Sequence, residues 1–174
     1  TQQMVLADIS WQGQTRQVLM QAPKNGFFFI IDRITGELLS AEPFVPVNWA
    51  SHYDLDTGRP VENPAARYVD EPFNVRPSGL GGHNWHSMSY SLQTGLVYLP
   101  ALDFAAPMEQ EEEYTWFEGQ WNLGYKMGHS PFGRLLSQAL LRRMLDSYLL
   151  AWDPDNQQEV WRAPNPEMGG GGVL

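Results

Sequence analysis

Hydrophobic and polar positions divide the chain into short strands, one amphipathic stretch and long loop-like connections. Gln2 to Ile9 and Arg16 to Ala22 flank the polar turn Trp11-Gln12-Gly13-Gln14-Thr15 and predict an antiparallel hairpin. Pro23-Lys24-Asn25-Gly26 predicts a tight turn, because Asn-Gly favours positive φ. Phe27-Phe28-Phe29-Ile30-Ile31-Asp32 is then apolar without a break, so this strand must be buried on both faces.

A repeat follows. Ile30 to Leu39 reads as strand, acid, a short turn closed by Thr35-Gly36, and strand. Met88 to Tyr98 has the same layout around Thr94-Gly95, and Leu150 to Trp161 has it with Asn156-Gln157 in the turn. Asp54 to Arg59 echoes only the turn, between flanks that read as loop. Hairpins recurring at irregular intervals of several tens of residues predict propeller blades carrying insertions. A small sheet cannot cover its own faces, so neighbouring blades stack on one another. An ordinary antiparallel sandwich with coincidental Thr-Gly turns is the competing architecture.

Between the repeats the pattern weakens. The stretch from Pro43 to Pro77 holds six prolines and few alternating apolar runs, and reads as loop. Glu109 to Glu113 is a charge run, read as a solvated face. Ser130-Pro131 opens the one predicted helix, near residues 131–148, with Ser as N-cap and Pro at the first helical position. Phe132, Leu135, Leu136, Ala139, Leu140, Leu145 and Tyr148 form its apolar stripe. Its basic opposite face admits a membrane-lying role, but packing on the protein's own rim is the stronger reading.

Composition narrows the classes. With 16 glycines, 13 prolines and 13% aromatic residues, turns and rings favour short strands over long helices. A net charge of −9 without a basic stripe argues against nucleic acid or an anionic membrane surface. The absence of cysteine removes disulfides, thiolate metal sites and covalent haem attachment from these residues. No apolar run reaches membrane-spanning length. A first residue other than Met and a glycine run near the last residue read as cuts through a longer protein.

The candidate chemistry centres on Gly79-Leu80-Gly81-Gly82-His83-Asn84-Trp85-His86-Ser87. Asn84 can donate and accept from one planar head, and Trp85 offers an apolar face with one donor. A glycine-rich connection followed by core aromatics is the plainer alternative. Lys24 sits on a turn between apolar strands, where an ammonium can stabilise developing negative charge or simply face solvent. His83 and His86 make an H-x-x-H pair, but no helix or third ligand supports zinc. Ser87 and His86 lack a nucleophile turn, which leaves a hydrolase reading weak.

Taken together, these motifs closely resemble the pyrroloquinoline-quinone-dependent alcohol dehydrogenases, including the quinohaemoprotein branch. The matching pieces are Gln21 to Phe28, Asp32-Arg33 with Thr35-Gly36, Pro46 to Ala50, Gly82 to Ser89, Thr94 to Tyr98, and Leu150 to Pro154 with Val160-Trp161. The resemblance covers nearly the whole chain, in family order. It implies an all-β fold: a partial β-propeller of about three blades from an eight-bladed quinoprotein propeller, with residues 1–174 an interior fragment of one domain. It implies oxidation of primary alcohols to aldehydes by hydride transfer to the quinone, in the periplasm, with a cytochrome or quinone as electron acceptor. Lys24, Asn84 and Trp85 correspond to cofactor contacts, Lys24 as electrostatic partner and not as base.

The implied general-base Asp lies just upstream of Thr1, so the segment contains no catalytic residue and is expected to be inactive alone. Calcium ligands lie outside the segment too, and haem c, in the haem branch, belongs to a separate downstream domain. Met168 to Gly172 departs from the family's usual Trp-Asn-Gly-Gly at that place. A non-catalytic binding propeller and a sugar or polyol dehydrogenase are the alternative functions.

Overall fold

The computed structural model describes residues 2–119, 122–126, 145–165 and 171–174. Its first sheet is a four-stranded meander of β1 (Met4–Trp11), β2 (Gln14–Gln21), β3 (Phe27–Asp32) and β4 (Leu38–Pro43), in that spatial order. The β1–β2 turn is Gln12-Gly13, and both residues have positive φ, at 51° and 79°. That geometry matches the twist of the flanking strands. Two-stranded ribbons follow: β5 (Ala50–Asp54) with β6 (Arg59–Glu62), and β7 (Phe73–Val75) with β10 (Ala106–Met108). The second four-stranded sheet is β8 (Ser89–Ser91), β9 (Leu96–Asp103), β11 (Asp146–Asp153) and β12 (Gln158–Pro164), again in meander order.

The all-β, propeller-like reading therefore holds. Against an expectation of about three blades, the described strands make two full four-stranded sheets and two ribbons. Two local readings need correction. The flanks of the Asp54 turn are strands rather than loop, hidden because β5 is mostly exposed and lacks an apolar face. The predicted helix falls mainly on residues outside the described set, but its last positions, Asp146 to Tyr148, are strand. Tyr148 thus points into a sheet core and does not belong to a helical stripe.

One local device closes the recurring hairpins. Asp32 Oδ1 accepts the backbone N–H of Ile34 and Thr35 at 2.8 and 3.1 Å. Asp54 does the same for Asp56 and Thr57, and Asp153 for Asp155 and Asn156. The residue ending each turn is left-handed: Gly36, Gly58 and Gly95, with Gln157 at φ 52° in the last copy. Gln157 donates its amide to Pro154 O at 2.8 Å, which offsets part of the cost of a side chain in that conformation. Asp32 is itself buried and paired with Arg16 at 2.9 Å. Hydrogen bonds from the turn's backbone, then the Arg16 contact, hold its carboxyl below the ordinary value.

The core lies between the two four-stranded sheets. Val18 and Met20 of β2 and Phe28 and Ile30 of β3 meet Val97 and Leu99 of β9 and Leu150 and Trp152 of β11. The rings of Phe28 and Trp152 stand 5.7 Å apart. The opposite face of β3 packs Phe27 and Phe29 edge-on against Tyr53, each at 5.0 Å. This double burial explains the unbroken apolar run.

Two substitutions separate backbone strain from packing. A Cβ at Gly36 would meet nothing within 4 Å, so Gly36→Ala should cost only the left-handed backbone penalty, about 1 kcal/mol. Phe28→Ala empties a fully buried site and should cost about 3–5 kcal/mol. Urea denaturation of both variants checks the ranking.

Candidate functional site

The turn carrying Lys24 is built from both sides. Gly26 has φ 92°, and a Cβ there would lie 2.7 Å from Val47 Cγ2, so no side chain fits. Asn25 accepts at its backbone oxygen from Trp49 Nε1 at 2.8 Å and donates its amide to Tyr53 OH at 3.1 Å. Asn25 Oδ1 accepts from Phe27 N at 3.1 Å. Lys24 is thereby carried on a fixed platform with its side chain exposed.

The glycine loop lies directly against this turn. Gly82 N–H donates to Lys24 O at 2.9 Å. Gly81, at φ +86°, approaches so closely that a Cβ would lie 2.8 Å from Lys24 Cα. Lys24 Nζ donates to Gly79 O at 3.1 Å, and Asn84 Nδ2 donates to the next carbonyl, Leu80 O, at 3.1 Å. The ammonium and the amide from distant parts of the sequence are therefore both fastened to one loop. Asn84 Oδ1 also accepts from Trp85 N at 2.9 Å, leaving one N–H and one lone pair of the head uncommitted. Trp85 is 72% exposed, and its ring stacks on His86 with centroids 4.4 Å apart at 25°. Residues 80–86 line a cavity of 230 Å³ with Pro100, Ala101 and Leu102 of β9 and Ser147 of β11.

More distant residues brace the loop. Leu102 N donates to Gly82 O at 2.8 Å, and Ser78 N to Phe104 O at 2.9 Å. Met88 N donates to Gln3 Oε1 at 2.8 Å. Ser87 Oγ donates to Val173 O at 3.0 Å while Val173 N donates back to Ser87 O at 3.1 Å. The Ser87 hydroxyl is thus spent on a backbone carbonyl and not on a histidine, which removes the nucleophile reading.

His83 has the surroundings that its sequence pattern did not reveal. It is 2% exposed, with Nδ1 2.7 Å from Ala22 O and Nε2 2.9 Å from His86 O. Each ring nitrogen faces a carbonyl; the neutral ring donates its single N–H to one of them, and the second carbonyl closes off the other nitrogen. Among the described residues no three His, Asp or Glu side chains are grouped to hold one. A larger cleft of 830 Å³ lies among the β1–β2, β3–β4 and β5–β6 turn tips, at the strand ends opposite Lys24. Its lining includes the hairpin turns read from the sequence but none of the candidate cofactor residues Lys24, Asn84 and Trp85.

Burial pushes the His83 pKa down, partly opposed by its two carbonyl contacts. Below the ordinary value of 6.5 the unfolded chain takes up a proton that the folded site resists. The histidine's contribution is therefore present above that pH and lost as pH falls toward the folded value. Urea unfolding from about pH 7.5 to about pH 5 should show falling stability, and His83→Phe should flatten that slope.

No protein-family model matches the chain. It is 43% identical over 174 residues to quinohemoprotein alcohol dehydrogenase ADH IIB of Pseudomonas putida, covering all of this chain and 24% of that protein. It is 40% identical over 188 residues to the 1-butanol dehydrogenase (cytochrome c) of Thauera butanivorans, covering all of this chain and 25% of that one. The fold superposes on the structure of quinohemoprotein alcohol dehydrogenase ADHIIG from Pseudomonas putida HK5 with a TM-score of 0.88 and 40% identity, over 99% of this chain and 26% of that one. The chain spans about a quarter of the length of the relatives it matches. Over that quarter, in sequence and in strand arrangement alike, it belongs to the quinohaemoprotein alcohol dehydrogenase family.

Proposed function

We propose that these residues form the cofactor-contacting part of a periplasmic pyrroloquinoline-quinone-dependent dehydrogenase of primary alcohols, with a cytochrome or quinone as electron acceptor. One observation carries the reading: Lys24 Nζ and the Asn84 amide converge on the neighbouring carbonyls of Gly79 and Leu80, beside the open face of Trp85. The relatives' names, alcohol and 1-butanol dehydrogenases, point the same way.

The residues suit a planar, anionic quinone. Lys24 keeps N–H donors beyond the one given to Gly79. Trp85 offers a flat apolar surface. When bound, the quinone supplies a ring carbonyl carbon that accepts hydride from the alcohol. Lys24 would set a fixed positive charge beside oxygens on which negative charge develops, and it would do so without giving up its proton. Asn84 would orient the ring by donating its remaining N–H. Trp85 would cover ring surface and keep water from it. The proton-accepting Asp and the calcium ligands are assigned to parts of the protein beyond these 174 residues, and haem c to a separate domain.

The full-length protein, supplied with pyrroloquinoline quinone and calcium, should gain quinone absorbance and reduce a dye with ethanol or butanol. The 174-residue segment alone should not. Lys24→Ala in the full-length protein should lower kcat/KM about 100-fold. A full-length protein that takes up no quinone would overturn the reading. Turnover of a sugar or polyol without turnover of alcohol would change the substrate class.

A further inference from the structure

We propose that His83 is a positioning residue that clasps the Lys24 turn to the Asn84–Trp85 loop and fixes their relative register. The ring reaches in two directions. On one side Nδ1 lies 2.7 Å from Ala22 O, two residues before Lys24. On the other, Nε2 lies 2.9 Å from the carbonyl of His86, whose own ring stacks under Trp85. A neutral ring carries one N–H, so only one of these two contacts is a hydrogen bond at a time. With the proton on Nδ1, the buried side chain ties its own loop to Ala22, the last residue before the lysine turn, while Nε2 packs against the residue that supports the indole.

The backbone hydrogen bond from Gly82 to Lys24 runs beside this clasp, and the missing Cβ of Gly81 lets the two segments close together. Glycines at 79, 81 and 82 make the loop adaptable but give it no side chain with which to hold itself. His83 supplies that hold. The contact to position 86 uses a backbone carbonyl that any residue there would present, so it accounts for the ring at position 83 and not for the one at position 86. His86 adds its ring as a shelf for Trp85, so the two histidines serve one purpose by different atoms.

The clasp rests on this chain's geometry alone, while its effect on quinone rests on the function proposed above. Hydrogen exchange at Gly82 and quinone affinity, both measured in the full-length protein, separate the two. His83→Phe keeps a flat ring of similar bulk but no donor. It should speed exchange at the Gly82 amide by about tenfold and weaken quinone binding, read by absorbance titration, by about tenfold. His83→Gln restores an N–H donor and should recover most of both. His86→Ala keeps the backbone carbonyl and removes only the stacked ring, so it should leave Gly82 exchange unchanged and weaken quinone binding a few-fold.

Unchanged exchange in a folded His83→Phe variant overturns the clasp. Faster exchange with unaltered quinone affinity overturns its positioning role and leaves the proposed function standing. If His83→Phe does not fold, His83→Gln decides: full retention of both readouts supports donation by residue 83, and failure to bind quinone with Gly82 protected overturns it. If the wild-type protein binds no quinone, the proposed function fails, and Gly82 exchange alone then supports or overturns the clasp.

Discussion

Position 81 has no Cβ, and the backbone of Lys24 occupies the space one would need. That contact decides much else. It brings Gly82 N–H onto Lys24 O, draws Lys24 Nζ to Gly79 O, and leaves Leu80 O for Asn84. Electrostatics follows sterics here. A cation and an amide from residues sixty positions apart share one loop because two backbones approach more closely than any side chain would permit. The exposed polar groups are thus placed by buried ones, chiefly His83 and the Asn25 platform under Trp49 and Tyr53.

The sheets provide the rigidity this arrangement requires. The Lys24 turn joins β2 to β3, whose Val18, Met20, Phe28 and Ile30 are fully buried, while the loop's far end enters β8 and is pinned at Gly82 to β9. Both partners belong to strands that share a core across the two sheets. A displacement of one sheet against the other would have to break the packing of Phe28 on Trp152 as well as the polar contacts above it. Sites supported this way hold their geometry better than sites on isolated loops.

How far the sequence disclosed this depended on what kind of signal each element leaves. Phe27 to Asp32 announced itself because burial on both faces leaves an unbroken apolar run. The Asp-led turns were legible because the acid's acceptor role and the left-handed closing residue both constrain residue type, and even Gln157 kept the spacing. The β5–β6 ribbon went unseen, since a strand with exposed faces has no apolar period to detect. Tyr148 was misplaced in a helix because its three-residue spacing from Leu145 fits the helical period, whereas its true stripe is Tyr148, Leu150 and Trp152 at a period of two. Lys24 and Asn84 were visible as residues, and their joint attachment to residues 79–80 was not. His83 was the largest miss: a histidine reads as a ligand or a base, and backbone carbonyl partners leave no trace in the pattern.

The loop's remote braces carry a consequence for what keeps it in place. Met88 is held by Gln3, 85 positions earlier, and Ser87 by Val173, 86 positions later. Each closure spans most of a hundred residues, and its entropic cost is reduced once the intervening hairpins have formed. The segment bearing Asn84 and Trp85 is therefore held from both ends of these 174 residues at once, and loosening either end removes one of its two anchors. Order at this loop thereby depends on contacts made near both ends of the segment, far from the residues that face solvent.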